Sequence, residues 1–409
     1  MDLTNEIFTV KLFLIWERKM NKSIIISVIT ALTSSAAFSG GWEASKLSTS
    51  YLYEDGNYGE FSILPLEYDV GANIQHPLAS KSKISKDQNR VSFAFKMGLG
   101  DFNIGVSNYQ SGFIQLQGQT ASLDGCNPSV TATLPLCSVA PSGDVTWKST
   151  AFIAQYSLGE NYSVFGGMNR YSLEDGTVTT LAGHYEVEAT DETVGLLGGA
   201  YERPDIALRV EAIYQQNKKV DVPTKSSLSP LIPTTPVANA SYTIPQTITL
   251  NFQSGIAEDT LLYGSVHQAS WGDAQIVIPG NPNGINPFTG AADVAVSAVG
   301  SSFDDKTHYS IGVGRKLTDN LAVSLSYGTE DGGGAISSDP FTLRNGFETY
   351  SIAGRYSMEN MTLSAGYTYT KAGDVKIVHE IAPGVPSGLT LDYKDNNVSG
   401  FGIKIGFTF

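Results

Sequence analysis

The chain has 409 residues, a length that fits either one large barrel or two ordinary domains. It carries 26 basic and 40 acidic residues, a net charge of −14, and this acidic balance argues against a nucleic-acid partner, whose phosphates require clustered Lys and Arg. Apolar residues make up 41% of the chain, yet their one near-continuous run lies close to the N-terminus.

That N-terminal run has the layout of a secretory signal peptide. After Met20, the basic residue Lys22 precedes an apolar core at 24–32, and small residues then lead to a cleavage site expected near Ala37 or Ser39. The core is roughly half as long as a membrane-spanning helix requires. Acidic residues before Met20 do not suit a signal sequence, so we expect translation to begin at Met20 rather than Met1. Residues 1–39 are therefore interpreted as an upstream extension plus a signal peptide.

Two cysteines, Cys126 and Cys137, lie in a polar stretch rich in Pro, Ser and Thr. An exported protein folds in an oxidising compartment, and closing so short a loop stabilises a fold by about 3 kcal/mol in the chain-entropy model. The alternatives, a metal pair or a redox motif, would need C-x-x-C spacing or a neighbouring His. The sequence therefore predicts a loop disulfide, and it predicts no cofactor or metal site.

From residue 58 onward, apolar and polar residues alternate in one segment after another. This period of two indicates strands with one apolar and one polar face. In chain order the pattern is clearest at 91–97, 208–214, 321–328, 361–370 and 401–409. The polar face is made mainly of Gly, Ser, Thr, Asn and single charges, as in a barrel lumen, while Tyr often ends the apolar face, as in an interfacial girdle.

The last nine residues show the alternation most cleanly. One face carries five large apolar side chains: Phe401, Ile403, Ile405, Phe407 and Phe409. Lys404 and small residues occupy the other face. We interpret these five residues as an outer-membrane assembly signal, recognised by the barrel-assembly machinery during insertion.

The connections predict the number of strands. Six short turns marked by Gly, Asp or Asn fall near 100–101, 159–161, 203–205, 257–259, 318–320 and 359–360. Seven long polar stretches lie between them, at about 69–88, 111–145, 174–189, 220–240, 273–305, 330–346 and 372–396. Thirteen connections imply fourteen strands, with both chain ends on the periplasmic side.

Hydrocarbon offers no partner for a free strand edge, so such a sheet has to close on itself. The fold class predicted is all-β: a fourteen-stranded antiparallel transmembrane β-barrel over 58–409, with short periplasmic turns and long outer loops. Its size falls between filled eight-stranded barrels and open sixteen-stranded porins, so a partly occluded lumen is expected. Residues 40–57 are the candidate for a short plug-like segment.

Alternation also predicts which charged side chains point into the lumen. They are Arg90, Lys96, Arg209, Glu211, Arg355 and Lys404. One of the cations is a candidate partner for the carboxylate of a ligand. For any single residue, however, a network with lumenal carboxylates and water is the favoured interpretation. The five His residues lie in no recognisable motif, which argues against an enzyme such as an outer-membrane phospholipase.

Three blocks of sequence carry a family resemblance: EDGNYGEFS at 54–62, AYERPDIALRVEAIY at 200–214 and IPQTITLNFQSGIAEDTLLYGSV at 244–266. They resemble the FadL family of outer-membrane long-chain fatty acid and hydrocarbon transport proteins. The resemblance implies a monomeric fourteen-stranded barrel, an N-terminal hatch in the lumen, and apolar ligands that leave sideways where an early strand kinks. The corresponding segment is roughly 102–110, although an ordinary third strand is the alternative.

The chain departs from that family before its first strand. About 18 residues follow the signal peptide, and the Asn-Pro-Ala hatch motif of longer members is absent. Either a short segment that includes Trp42 and Tyr51 blocks the lumen, or the loops close it from above.

Three functional classes follow from the sequence. The favoured one is passive transport of hydrophobic small molecules, most readily long-chain fatty acids, across a bacterial outer membrane. The alternatives are a general porin for polar solutes and a structural or adhesin barrel. The expected surroundings are outer-membrane lipid and lipopolysaccharide.

Overall fold

The structure is a computed structural model that describes residues 41–74, 82–83, 85–117, 142–180, 183–227, 239–278, 299–334, 336–337, 341, 344–382 and 385–409. The signal peptide predicted within 1–39 and the disulfide predicted between Cys126 and Cys137 lie outside the described residues. Both therefore stay predictions.

Fourteen strands form one closed ring. In chain order they are β1 (Tyr58–Asp69), β2 (Gln88–Leu99), β3 (Phe102–Gln117), β4 (Ser142–Leu158), β5 (Tyr162–Leu173), β6 (Thr190–Arg203), β7 (Leu208–Gln215), β8 (Thr247–Ala257), β9 (Thr260–Ala269), β10 (Lys306–Lys316), β11 (Leu321–Glu330), β12 (Phe347–Ser357), β13 (Met361–Ala372) and β14 (Asn397–Thr408). Each strand pairs antiparallel with the next, and β1 closes the ring on β14 from Tyr58–Thr408 to Asp69–Asn397. The predicted fourteen-stranded antiparallel barrel is confirmed.

The connections follow the predicted order of short and long. Turns of two to four residues join the strands at one end, which we call the turn end, and both Tyr58 and Thr408 lie there. Gly100 and Gly159 lie in two of these turns with φ of +69° and +70°, a conformation that favours glycine. The long connections all leave from the opposite end, here called the loop end.

Side chains alternate between the two faces of the wall as the sequence predicted. In β14, Phe401 and Phe407 are about half exposed on the exterior, whereas Lys404 is 5% exposed inside. An exterior band of exposed Phe, Leu, Ile, Val, Met and Tyr continues around the strands. Such a band suits hydrocarbon, and the closed ring leaves no strand without a neighbour on each side. Among the described residues, no helix is long and apolar enough to cross a membrane.

Short strands also form within the long connections, for which the sequence predicts loops. They are Gly71–Ile74, Ser82–Lys83, Gly176–Thr180, Gly183–Val187, Lys218–Val222, Thr224–Ser227, Ala240–Ile244, Ile276–Ile278, Val299–Gly300, Ile336–Ser337, Val375–Ala382 and Val385–Tyr393. Among the described residues, turns of 3-10 helix occur as well, at Ser50–Tyr53, Pro204–Ile206 and Trp271–Asp273. The small sheets cover an apolar core at the loop end of the barrel.

Candidate functional site

The residues just before β1 lie inside the barrel. We call Gly41–Asn57 the N-terminal segment. Its 3-10 turn buries Tyr51 and Leu52, which are 1% and 2% exposed, against the inner wall. Gly105 of β3 faces this turn, and a Cβ there would overlap Leu52 and Tyr51. A glycine in a strand can mark the close approach of another segment, and this one does so.

A carboxylate on the wall, that of Glu211 on β7, accepts three hydrogen bonds, two from the segment and one from β8. Thr49 Oγ1 and Tyr53 OH each donate to Glu211 Oε1 at 2.8 Å, and Asn251 Nδ2 donates to Glu211 Oε2 at 2.7 Å. Glu211 is 3% exposed. Hydrogen bonds to a buried ionised acceptor are stronger than neutral ones, so Glu211 anchors the segment to β7.

Cations from other strands bind the same segment. Arg90 Nη1 donates to the backbone oxygen of Ala44 at 2.6 Å. Lys96 donates to the backbone oxygen of Glu54, and the Glu54 carboxylate lies 3.7 Å from Arg355 Nη1. The segment is therefore tied to β2 and to β12, on separate parts of the ring.

The two remaining predicted residues also point inward. The Arg209 guanidinium lies 4.1 Å from the centre of the Tyr53 ring and 4.0 Å from a Glu202 carboxylate oxygen. Lys404 Nζ donates to Glu60 Oε2 at 3.0 Å. Five of the six predicted lumenal residues thus contact the N-terminal segment, and Lys404 pairs with a wall carboxylate. For all six, a role in binding the head group of a ligand stays a prediction.

A second polar cluster involves residues that the alternation pattern does not single out. Lys46 Nζ donates to Ser265 Oγ at 2.7 Å, and Glu43 Oε2 lies 3.4 Å from His267 Nε2. Burial lowers the pKa of Lys46 to about 8, with Glu43 opposing the shift. Lys46 lies outside any strand, so the alternation used to find inward-facing residues does not reach it.

The barrel wall has a gap between β2 and β3. Their ladder runs from Leu99–Phe102 to Phe93–Asn108 and ends there, although β2 continues to Gln88 and stays paired with β1. The side chains of Gln110 and Gln88 meet across the gap in a 3.1 Å hydrogen bond. Residues 88–92 and the facing part of β3 are therefore not paired with each other, and an isolated bridge between Ser85 and Leu116 lies beyond the gap.

The N-terminal segment pairs with β3 beside this gap. Ala44 N donates to Ser111 O at 2.8 Å, and Phe113 N donates to Trp42 O at 2.9 Å. The β3–β4 register shifts between Gln110 and Gly112, which marks a bulge. The bulge thus lies at the loop end of the 102–110 stretch, where the resemblance implied a kink. It lies there because the N-terminal segment replaces β2 as the partner of β3.

A cavity of about 160 Å³ lies between the N-terminal segment and the wall at the gap. Lys46 and Ser48 line it on the segment side, and Arg90 and Ser92 line it on the inner side of β2. Val91 and Phe93, whose side chains are 43% and 44% exposed on the exterior, line it too. The cavity thus reaches the gap in the wall.

Aromatic residues form the base of the loop-end core. The Trp42 ring of the N-terminal segment lies between four aromatic neighbours, with edge-on contacts to Tyr171, Tyr242 and Trp271 and a stacked contact to Trp147. The segment therefore connects the loop-end core to the lumen.

Solved structures with a similar fold are transport barrels. A Pseudomonas aeruginosa FadL homologue superposes with a TM-score of 0.63 at 12% identity, over 88% of this chain and 92% of that one. The chain has the FadL-type barrel fold. The toluene transporters TodX of Pseudomonas putida and TbuX of Ralstonia pickettii both give a TM-score of 0.54, at 11% and 10% identity, over 91% and 93% of this chain and 97% and 100% of theirs.

No family model and no curated protein matches the sequence itself. The likeness to the FadL-type barrels therefore lies in the fold, and it supports the resemblance drawn from the blocks at 54–62, 200–214 and 244–266. In this FadL-type barrel, the gap lies in the ladder between the second and third strands, directly against the cavity.

Proposed function

We propose that this chain carries hydrophobic small molecules, most readily long-chain fatty acids, passively across a bacterial outer membrane. The ligand enters from the loop end, reaches the cavity beside the N-terminal segment, and leaves sideways through the gap between β2 and β3. The observation that carries this proposal is the cavity that meets a break in the wall ladder within an apolar exterior.

Sideways release suits an apolar ligand for a physical reason. A molecule that passes from the lumen into the hydrocarbon layer avoids the cost of exposing apolar surface to water. Phe93 and Val91 supply an apolar edge on the exterior side of the gap. The similar solved structures, a FadL homologue and two toluene transporters, support the same substrate class.

We further propose that the N-terminal segment is the plug. Its bonds to Glu211, Arg90 and Arg355 tie it across the lumen, which opposes free diffusion of polar solutes along the barrel axis. This arrangement favours transport of hydrophobic molecules over a general porin. The barrel acts as a monomer surrounded by outer-membrane lipid and lipopolysaccharide, after export through the signal peptide and insertion by the barrel-assembly machinery.

The test is uptake by cells that lack their own outer-membrane fatty acid transporter, with and without this protein. Labelled oleate and a small labelled sugar are followed in parallel. We expect oleate uptake to rise and sugar uptake to stay at the background level. A rise in sugar uptake alone would make the barrel a porin, and no rise in either would refute transport of both classes.

A further inference from the structure

The cavity at the gap has a mixed lining, in which apolar surface is the larger part but many polar side chains take part. All but seven of the residues that line it carry a polar side chain. A plain hydrocarbon that enters displaces water from these groups and replaces none of its hydrogen bonds, which is unfavourable for buried polar groups. The lining therefore suits a mainly apolar ligand that carries a few polar groups of its own.

The charges around the cavity show which polar group is favoured. Glu60 pairs with Lys404, and Glu211 accepts three hydrogen bonds from its neighbours. Arg209 lies beside Glu202 and against the Tyr53 ring. Lys46 differs from these residues: within the described part of the chain its ammonium donates to Ser265 Oγ and has no carboxylate within 4.0 Å, although the more distant Glu43 attracts it. This cation is thus available to an anionic group in the cavity.

Hydroxyl groups face the cavity in two pairs on opposite walls. Ser62 Oγ and Ser92 Oγ lie 2.7 Å apart on β1 and β2, at the edge of the gap. Ser265 Oγ and Ser310 Oγ lie 2.8 Å apart on β9 and β10. A hydroxyl has one proton to donate and two lone pairs, so each pair keeps hydrogen-bonding capacity for a ligand after its internal bond is made.

We infer that this cavity selects an anionic amphiphile that carries an additional hydroxyl or keto group on its chain, with Lys46 binding the anionic head and the serine pairs bonding the chain oxygen. The inference rests on the proposed transport function and narrows its substrate. The apolar parts of such a chain contact Leu64 and Phe93 and lead into the gap. A site that hydrogen-bonds an oxygen discriminates against an analogue that lacks it, because its own groups are then left unpaired.

Three labelled probes of equal chain length test the inference: dodecane, dodecanoate and a dodecanoate with a mid-chain hydroxyl. Uptake is measured in cells that lack their own fatty acid transporter, with and without the full chain. We expect the hydroxylated acid to enter fastest and dodecane slowest. One neutral hydrogen bond corresponds to a preference of about threefold to tenfold for the hydroxylated acid over dodecanoate.

A double substitution assigns the preference to the cavity. Ser62→Ala with Ser92→Ala removes both hydroxyls of one pair, so neither serine is left with a lost partner. We expect this variant to bring the uptake ratio of the two acids close to one. The matched control is Ser351→Ala with Thr368→Val, which removes a buried pair at 3.0 Å on β12 and β13, away from the cavity, and should keep the wild-type ratio.

The outcomes separate the inference from the function on which it rests. If all three probes enter at equal rates above background, transport stands and the selection is refuted. If the Ser351→Ala, Thr368→Val control lowers the uptake ratio of the two acids as much as the serine variant does, the effect is not specific to the cavity and the selection is again refuted. If no probe enters above background, the proposed function itself fails.

Discussion

The ring of Trp42 stacks on that of Trp147, with centroids 4.6 Å apart and planes inclined by 18°. Trp42 belongs to the N-terminal segment and Trp147 to β4. Gly112 of β3 makes room for this contact, because a Cβ there would overlap the Trp42 ring. The stack joins the segment in the lumen to the core under the long loops. We therefore expect that loosening either part destabilises the other.

The first prediction is that Trp42→Ala loosens the loop end. Removing a large buried aromatic side chain costs about 3–5 kcal/mol. We expect faster cleavage of the long loops by protease added to the folded barrel, with Trp42→Phe intermediate. Tyr350→Ala, at an exterior position that is 50% exposed, is the control and should leave the cleavage rate unchanged. Equal cleavage of wild type and Trp42→Ala would contradict the coupling.

The second prediction concerns the bonds between Glu211 and the segment. Glu211→Gln keeps the shape of the side chain but removes the charge that accepts from Thr49 and Tyr53. Each bond to a charged acceptor contributes about 1.5–3 kcal/mol, so losing that charge should make release of the segment roughly ten- to a hundredfold more frequent. We expect more frequent opening steps in single-channel recordings.

The control for this experiment is Glu348→Gln. Glu348 is exposed on the exterior face of β12, where it accepts from Tyr327 OH at 3.1 Å. The conductance of the Glu348→Gln variant should match that of the wild type. If single-channel recordings of both variants show no additional opening steps, Glu211 does not hold the segment in place.

The wall of the barrel could be predicted from sequence because a strand has only two faces. Once Phe401 and Phe407 are assigned to the exterior, Lys404 has to point inward. The same reasoning placed Arg90 and Glu211 in the lumen, where they are 5% and 3% exposed. Glycine and aspartate at the turns fixed the ends of the strands.

The partners of the inward charges could not be predicted in the same way. Glu211 meets Thr49 across 162 residues of sequence, and alternation carries no information about such distances. Gly105 lies in the 102–110 stretch where the resemblance implied a kink, and its neighbours in sequence do not reveal that it accommodates Leu52. The strands within the long connections, such as Val375–Ala382, were missed because polar turn-forming residues surround them and hide their short alternating patterns.

The third prediction tests the gap directly. Val91→Cys places a thiol on the exterior edge of the gap, and bulky thiol reagents attached there should slow oleate uptake more than small ones. Ile352→Cys, exposed on the exterior of β12, is the matched position away from the gap. Unsubstituted protein treated with the same reagents controls for the native cysteines. Equal inhibition at both positions would argue against exit between β2 and β3.

The fourth prediction concerns the final residue of the chain. Phe409→Ser should lower the amount of folded barrel in the membrane, measured as the fraction that shifts on a gel after heating, because the sequence predicts that the terminal aromatic is part of an assembly signal. The Phe409 ring lies 5.8 Å from that of Phe95, so Phe95→Ser tests whether packing alone explains a loss. Equal losses in both variants would assign the effect to packing rather than to recognition.

The fifth prediction follows from the buried ammonium of Lys46. Its pKa is lowered to about 8 by burial, so the group is mostly protonated at pH 7 and mostly neutral at pH 9. A dodecanoate carboxylate stays ionised throughout this range, so its attraction to Lys46 is lost as the pH rises through about 8. Binding to purified barrel in lipid nanodiscs should therefore weaken between pH 7 and pH 9. Lys46→Met should bind weakly with no such step, and a step that survives in that variant would assign the pH dependence to another group.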